Sequence, residues 1–390
     1  MGRSWLRGLI ANALLAAAAM LALWMALELA FRLAPELLLP AGDYGAGRRN
    51  EELGVNVHGS RVLYTKVRQA VLRDPNRDGF LDAEHDRGKP PGVVRVGFFG
   101  DSYVESAQVP LEIVFYRQLE DRLRDRGVQT LGFGISGWGG VQALRAFKVF
   151  GPRYGLDVAV YVFVENDPGD QSYELADAHR LGSGMPYAEL APDGASYRLR
   201  WTVEPGTEAW WFGPAKWLQR RSLVAHLVRD RLFVFRQAGV RMQASAADRE
   251  MTTSSSGVPN PNDLPASWPG PIRERTLRLA DLVLADWKQA SERAGARLAV
   301  LYVPRGEPQL RGEIRREDTW LPWLEGTCAR LGIPLWDPSA ALRARLDAGE
   351  PVYEDHWTPV GHGAIADLLA GRVSDLLNAP APAVQPTGLR

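Results

Sequence analysis

The chain has 390 residues, enough to bury one large core or two smaller ones. Hydrophobic residues make up 46% and charged residues 24%, ordinary for a folded protein, and 46 basic residues cancel 46 acidic ones, so nothing advertises a nucleic-acid partner. The single cysteine, Cys328, excludes an intramolecular disulfide and any multi-cysteine metal site, and it says nothing of the compartment.

From Leu9 to Leu27 the chain is apolar apart from Asn12, about the length a helix needs to cross a hydrocarbon core of roughly 30 Å. Arg3 and Arg7 precede this run, which predicts a cytoplasmic N-terminus and a remainder outside the cytoplasm, in the periplasm or at the cell surface. A cleaved signal peptide is the competing reading. The run is longer than a usual signal core and no small-x-small site follows it, which favours an uncleaved single-pass anchor over residues 1–40.

A polar juxtamembrane segment, 41–92, then leads to a first strand expected at Val93 to Phe99, an apolar run with a glycine stop. Phe115, Leu119 and Leu123 recur at helical spacing and Gly127 is placed to end that helix. Residues 129–136 read as a second strand, 141–155 as a helix, and 157–167 as a continuous apolar strand closing in polar residues. This alternation predicts a parallel sheet covered by helices on both faces. Between about 168 and 271 it breaks down into an inserted region containing Trp201, Trp210, Trp211 and Trp217 and ending in a Ser- and Pro-rich loop. Beyond it a long helix, a strand at 297–304, a helix from Trp320 to Leu331, a strand at 333–337 and a last helix after Gly361 complete a domain spanning 93–378. Residues 379–390 read as a disordered tail.

In such a sheet the working residues gather where strands reach their carboxyl edge. Three strand ends carry Gly100-Asp101-Ser102, Ser136-Gly137-Trp138-Gly139 and Glu165-Asn166-Asp167, and a fourth group runs from Tyr353 to His362. A serine becomes nucleophilic when a histidine, itself oriented by a carboxylate, takes its proton. Ser102 is the candidate nucleophile, His356 the base, and Glu354 or Asp355 the acid. In an extended chain residues two apart share a face, which favours Glu354; in a curved loop Asp355 serves.

Four blocks in this order, GDSY, GISGWGG, VEND and EDHWTPVGH, resemble those of the SGNH hydrolases, also called the GDSL family, particularly membrane-anchored bacterial members associated with cell-surface polysaccharides. The resemblance spans the region outside the anchor apart from the insertion. It implies a three-layer flavodoxin-like α/β fold and a Ser102–His356–acid triad passing through an acyl-enzyme. The oxyanion hole would be formed by the backbone N–H groups of Ser102 and Gly137 and the side-chain amide of Asn166. The implied activity is hydrolysis of acyl esters, acetyl groups on a polysaccharide among them, with no metal or organic cofactor required. The alternative is a polysaccharide O-acetyltransferase using the same triad. A non-catalytic binding or assembly subunit, working with polysaccharide-assembly proteins, is the third reading. Gly132 departs from the pattern, standing where relatives often carry asparagine.

Other residues have plainer readings. His362 is expected to start or pack the last helix, and Asp167 to close its strand. Asp74, Asn76, Asp78, Gly79 and Asp82 mimic a calcium-binding loop, but position 12 is His85 rather than glutamate, which favours an ordinary Asp/Gly turn resembling the Gly-Phe segment that precedes the nucleophile strand in anchored relatives. The insertion's tryptophans fit either a sugar-stacking platform or the insertion's own core.

Overall fold

The computed structural model describes residues 2–39, 42–45, 47–66, 69–178, 185–201, 217–218, 221–228 and 259–379. The first element, helix α1 (Gly2–Leu33), contains one stretch long and apolar enough to cross a membrane. Its side chains from Ile10 to Leu23 are exposed rather than packed into a core.

The centre of the molecule is a five-stranded parallel sheet. Its strands are β6 (Val94–Gly100), β7 (Val128–Gly134), β8 (Val158–Val164), β11 (Arg297–Val303) and β12 (Leu335–Trp336), in the order β12-β11-β8-β6-β7. Every residue of β8 is buried, because both faces of the sheet are covered. Val158, Val160, Val162 and Val164 enter one core with the helices Phe115–Arg122, Ser339–Asp347 and Pro359–Asn378. Ala159, Tyr161 and Phe163 point the other way, into a core with Gly140–Tyr154, Gly270–Arg293 and Leu321–Leu331. The result is the three-layer α/β arrangement the alternating pattern implied. The chain runs from β6 to β7 in one direction and then returns past β6 to β8, so the strand order reverses between β6 and β8. The carboxyl edge beside that reversal is where open α/β sheets form crevices.

Two regions are more structured than the sequence indicated. The segment expected to be a polar juxtamembrane stretch carries five short strands: β1 (Gly42–Tyr44), β2 (Gly47–Asn50), β3 (Val55–His58), β4 (Val62–Lys66) and β5 (Gln69–Arg73). They pair antiparallel as β1-β4-β5 and β2-β3. Their runs of three to five residues are too short for periodicity to register. Arg73 fastens them to the body, its buried guanidinium donating to the carbonyls of Leu81, Ser106 (3.1 Å) and Val109 (3.0 Å). The inserted region contributes an antiparallel hairpin, β9 (Pro186–Leu190) and β10 (Tyr197–Trp201). Trp210, Trp211, residues 252–258 of the Ser- and Pro-rich loop and residues 380–390 lie outside the described residues.

Candidate active site

β6 ends in glycine because the chain must turn there against its neighbours. A Cβ at Gly100 would stand 2.9 Å from the Val104 side chain and 3.0 Å from the Val162 carbonyl, and one at Gly134 would stand 2.5 Å from the Glu105 amide. The turn that follows is the single helical turn Ser102–Glu105, capped by Asp101, whose carboxylate accepts from the Tyr103 N–H at 2.9 Å. Ser106 closes it in the left-handed region, at φ 49°, the one non-glycine there among the described residues. Burial, reinforced by repulsion from Asp170 and Glu105, pushes the Asp101 carboxyl up to about 7.

This turn brings Ser102 to His356. Ser102 Oγ and His356 Nε2 are 2.7 Å apart although the residues are 254 positions apart in the chain. On the other side of the ring, Asp355 Oδ2 is 3.3 Å from Nδ1. With the ring proton on Nδ1 facing that carboxylate, Nε2 is free to accept from the serine hydroxyl. Glu354 points elsewhere and forms an ion pair with Lys66 at 2.8 Å. The geometry therefore selects Asp355 rather than Glu354 beside the histidine. The reason is local curvature: the Glu354 N–H donates to the His356 carbonyl, and Tyr353 bridges to Trp357, so the stretch is a tight loop and the face-sharing of an extended chain does not apply. Burial lowers the His356 pKa below its ordinary 6.5, and Asp355 only partly opposes this. The imidazole is thus neutral near pH 7, the form a base requires.

Ser102, Asn166 and His356 line one cleft of about 750 Å³, together with Tyr103 and, at the end of β11, Pro304 and Arg305. Asn166 follows β8; its Nδ2 donates to Asp170, which leaves the second N–H of the amide for a ligand. Gly137, at φ 79°, does not line the cleft, although open space lies where its Cβ would be. Its loop is fixed one residue earlier, where Ser136 donates through N–H (2.8 Å) and Oγ to the buried Glu105 carboxylate. Glu105 also contacts His58 of β3. Burial alone would raise the Glu105 pKa, but the hydrogen bonds from His58 and Ser136 outweigh it and hold the carboxyl below its usual range.

No family model matches the chain, and no curated protein matches it. Among solved structures it is similar to TesA, with 10% identity, 72% of this chain and 99% of the other covered, and a TM-score of 0.38. It is similar to the psychrotrophic esterase EstA from Pseudoalteromonas sp. at 10% identity, 73% and 99% coverage and a TM-score of 0.37. It is similar, too, to a catalytic mutant of the acetylxylan esterase Axe2 from Geobacillus stearothermophilus at 10% identity, 73% and 96% coverage and a TM-score of 0.37.

Several singled-out residues sit apart from this chemistry. His362 is fully buried in the first turn of the last helix, its Nδ1 accepting from the Phe115 N–H at 3.3 Å. Asp167 is buried and accepts from Tyr161 (2.6 Å) and the Val164 N–H (3.0 Å). The calcium-like loop does not converge. Asp74 pairs with Arg61, Asp78 accepts from Tyr154, and Asp82 accepts from the Gly132 N–H; Gly79 and Phe80 lead that segment into the core. Among the described residues no group of three or more His, Cys, Asp or Glu is placed to hold a metal. Gly132 is explained by Tyr116, whose ring would lie 2.5 Å from a Cβ there. Trp201 packs on Gly54 and Trp217 lies under Arg221, and neither lines the cleft. Cys328 is buried, its thiol pushed up to about 12 by desolvation.

Reading the sequence missed Tyr103, Arg305 and Lys66. Arg305 was within reach of the same rule that found Ser102 and Asn166, since it too follows the carboxyl end of a sheet strand. Tyr103 follows Ser102, its ring centroid 4.8 Å from that of His356. Lys66 lies in a strand that periodicity did not reveal.

Proposed function

We propose that the chain is a serine esterase that cleaves acyl esters, with acetyl esters of a cell-surface polysaccharide as the foremost substrates. The observation that carries this reading is the 2.7 Å pair between Ser102 Oγ and His356 Nε2 in an open cleft at the carboxyl edge of a parallel sheet. As Ser102 Oγ attacks the ester carbonyl, His356 Nε2 takes the hydroxyl proton and Asp355 stabilises the imidazolium. The developing oxyanion accepts from the free N–H of the Asn166 amide, with the backbone N–H groups of Ser102 and Gly137 as further donors. One such donor is typically worth about 2.7–4 kcal/mol. His356 returns its proton to the departing alcohol, leaving an acyl group on Ser102. A water activated by the same nitrogen then releases the acid.

The same triad serves hydrolysis and transfer to a sugar hydroxyl; water is the acceptor in the esterase reading, and a sugar hydroxyl bound in the same cleft is the acceptor in the O-acetyltransferase reading. Helix α1 would anchor the enzyme by a single span with Arg3 and Arg7 on the cytoplasmic side, which supports a catalytic domain acting outside the cytoplasm.

The test uses the full chain in detergent with p-nitrophenyl acetate and a fluorophosphonate probe. Turnover and covalent labelling are expected in the native chain and absent in Ser102→Ala. Labelling that persists in the variant overturns the nucleophile assignment, and labelling without turnover favours the binding-subunit reading. Supplying an oligosaccharide acceptor and comparing acyl transfer with free acetate release separates hydrolase from acyltransferase.

A further inference from the structure

The exposed large apolar residues outside α1 are confined, among the described residues, to Leu37, Leu72, Trp217, Leu218 and Val228. Leu72 lies on β5 and Leu37 on the turn that follows α1, an element packed against β4 and β5. The other three flank residues 221–226, which are docked on the end of α1. That docking is polar and specific. The Glu28 carboxylate accepts from Ser222 Oγ at 2.8 Å and from the Leu223 and Val224 N–H groups at 3.2 Å, capping the short helix at 223–228. Arg32 Nη2 donates to the Arg221 carbonyl at 2.8 Å. The helix therefore runs out of its apolar stretch directly into the folded body, with no free tether between them.

Where these elements meet, a cavity of about 360 Å³ opens at the root of α1. Phe31, Leu72 and Leu223 supply apolar wall, and three arginines, Arg32, Arg61 and Arg221, are among the residues that line it. Among the described residues no carboxylate lines it, although Arg32 is held from outside by Glu28 and Arg61 by Asp74. Arg221 lies over the exposed Trp217 ring at 4.6 Å, a cation on an indole. Such a pairing suits the boundary between headgroups and acyl chains, where indole rings prefer to lie.

We propose that this face is a membrane-contacting apron and that the cavity takes the phosphate headgroup of an anionic lipid. Exposed leucines and Trp217 enter the acyl boundary while the arginines neutralise the phosphate. The chemistry is that of anionic headgroups attracting basic residues beside a membrane span. An isolated phosphate would satisfy the arginines but not the apolar rim, which is why a lipid is the expected occupant. The proposal rests on Leu9–Leu27 spanning the bilayer, and it adds that the globular body itself is held against the surface, giving the cleft a fixed presentation.

The test places a nitroxide on the full chain in phosphatidylglycerol/phosphatidylcholine nanodiscs, at Leu72→Cys or Leu218→Cys, with Ala17→Cys inside α1 and Glu317→Cys on the body as references. Cys328 is buried and leaves the introduced thiol as the reactive one. Labels at 72 and 218 are expected to collide more with oxygen than with a water-soluble nickel chelate, as at 17 and opposite to 317. Native mass spectrometry is expected to show retained phosphatidylglycerol falling about fivefold or more in Arg61→Gln/Arg221→Gln and in Arg221→Gln alone, with esterase turnover kept. A bilayer position at 17 with aqueous behaviour at 72 and 218 overturns the apron. Aqueous behaviour at 17 overturns the anchor itself. Displacement of the lipid by millimolar inorganic phosphate, or unchanged retention in both variants, overturns the headgroup site.

Discussion

Asp355 Oδ2 stands 3.3 Å from His356 Nδ1, while the adjacent Glu354 carboxylate turns away to Lys66 at 2.8 Å. Neighbours in sequence thus have separate partners, one facing the imidazole and the other tying the loop to β4. Asp355→Asn is expected to lower kcat/KM by about 10- to 100-fold, less than the ~10⁴ of a fully buried triad acid because Asp355 is largely solvated. Glu354→Gln should stay within about threefold of the native chain, as an exposed ion pair contributes little. The pH profile distinguishes the two. With His356 as the proposed base, catalysis needs its neutral form; its pKa lies below 6.5, so activity should fall with acid only below that point. Asp355 raises this pKa, so removing it should move the acid limb to lower pH. A limb that moves in Glu354→Gln and not in Asp355→Asn would reverse the assignment.

Asn166 offers one free amide N–H to the cleft while the other is occupied by Asp170. If that free donor meets the oxyanion, it acts chiefly in the transition state. Asn166→Ala should then reduce kcat by about 10²- to 10³-fold with little change in KM. Steady-state kinetics with p-nitrophenyl acetate measure the split. A rise in KM at constant kcat would make Asn166 a ground-state binding residue instead.

Arg305 reaches from the end of β11 to the carbonyls of Asn262 and Asp263, tying the return of the inserted region to the rim of the cleft. Asn262 itself lines the cleft. Arg305→Ala should release that rim without touching the triad, raising KM for an oligosaccharide ester several-fold while leaving kcat on p-nitrophenyl acetate nearly unchanged. Limited proteolysis near residues 259–263 should quicken in parallel. An equal loss on both substrates would mean that Arg305 supports the catalytic loop and not the rim.

The parallel sheet was legible because β8 and β11 carry continuous apolar runs and β6 one interrupted only by Arg95, each bounded by polar or glycine stops, a pattern that survives without tertiary context. Ser102 and Asn166 were legible for a related reason, lying where such runs end. What escaped was set by curvature and by long-range pairing. The choice between Glu354 and Asp355 depends on a backbone bond from Glu354 to the His356 carbonyl. The strands of 42–73 are held by Arg73 and by the His58–Glu105 contact, interactions between residues tens of positions apart that no local window contains. The departure at Gly132 has a long-range cause too, since the Tyr116 ring fills the space a side chain would need.

His362 lies six positions after His356 yet belongs to the core, and its burial has a thermodynamic signature. Desolvation, with smaller contributions from the nearby positive charges of His356 and Arg73, lowers its pKa from 6.5 to about 3. Between those values the unfolded chain binds a proton that the folded chain does not. Stability therefore rises with pH across this window and is lost as pH falls from 6.5 toward 3. His362→Gln keeps an acceptor for the Phe115 N–H and removes the titration. The variant is expected to be less stable than the native chain at pH 7 through lost packing. Its stability should nevertheless fall less steeply between pH 6 and pH 4, by one proton or about 1.4 kcal/mol per pH unit. Every other group, His356 included, titrates in both proteins and cancels in the difference. Urea midpoints at a series of pH values read this slope directly. Parallel slopes in the two proteins would show that His362 takes up its proton in the folded state and that the core around Phe115 admits the charge.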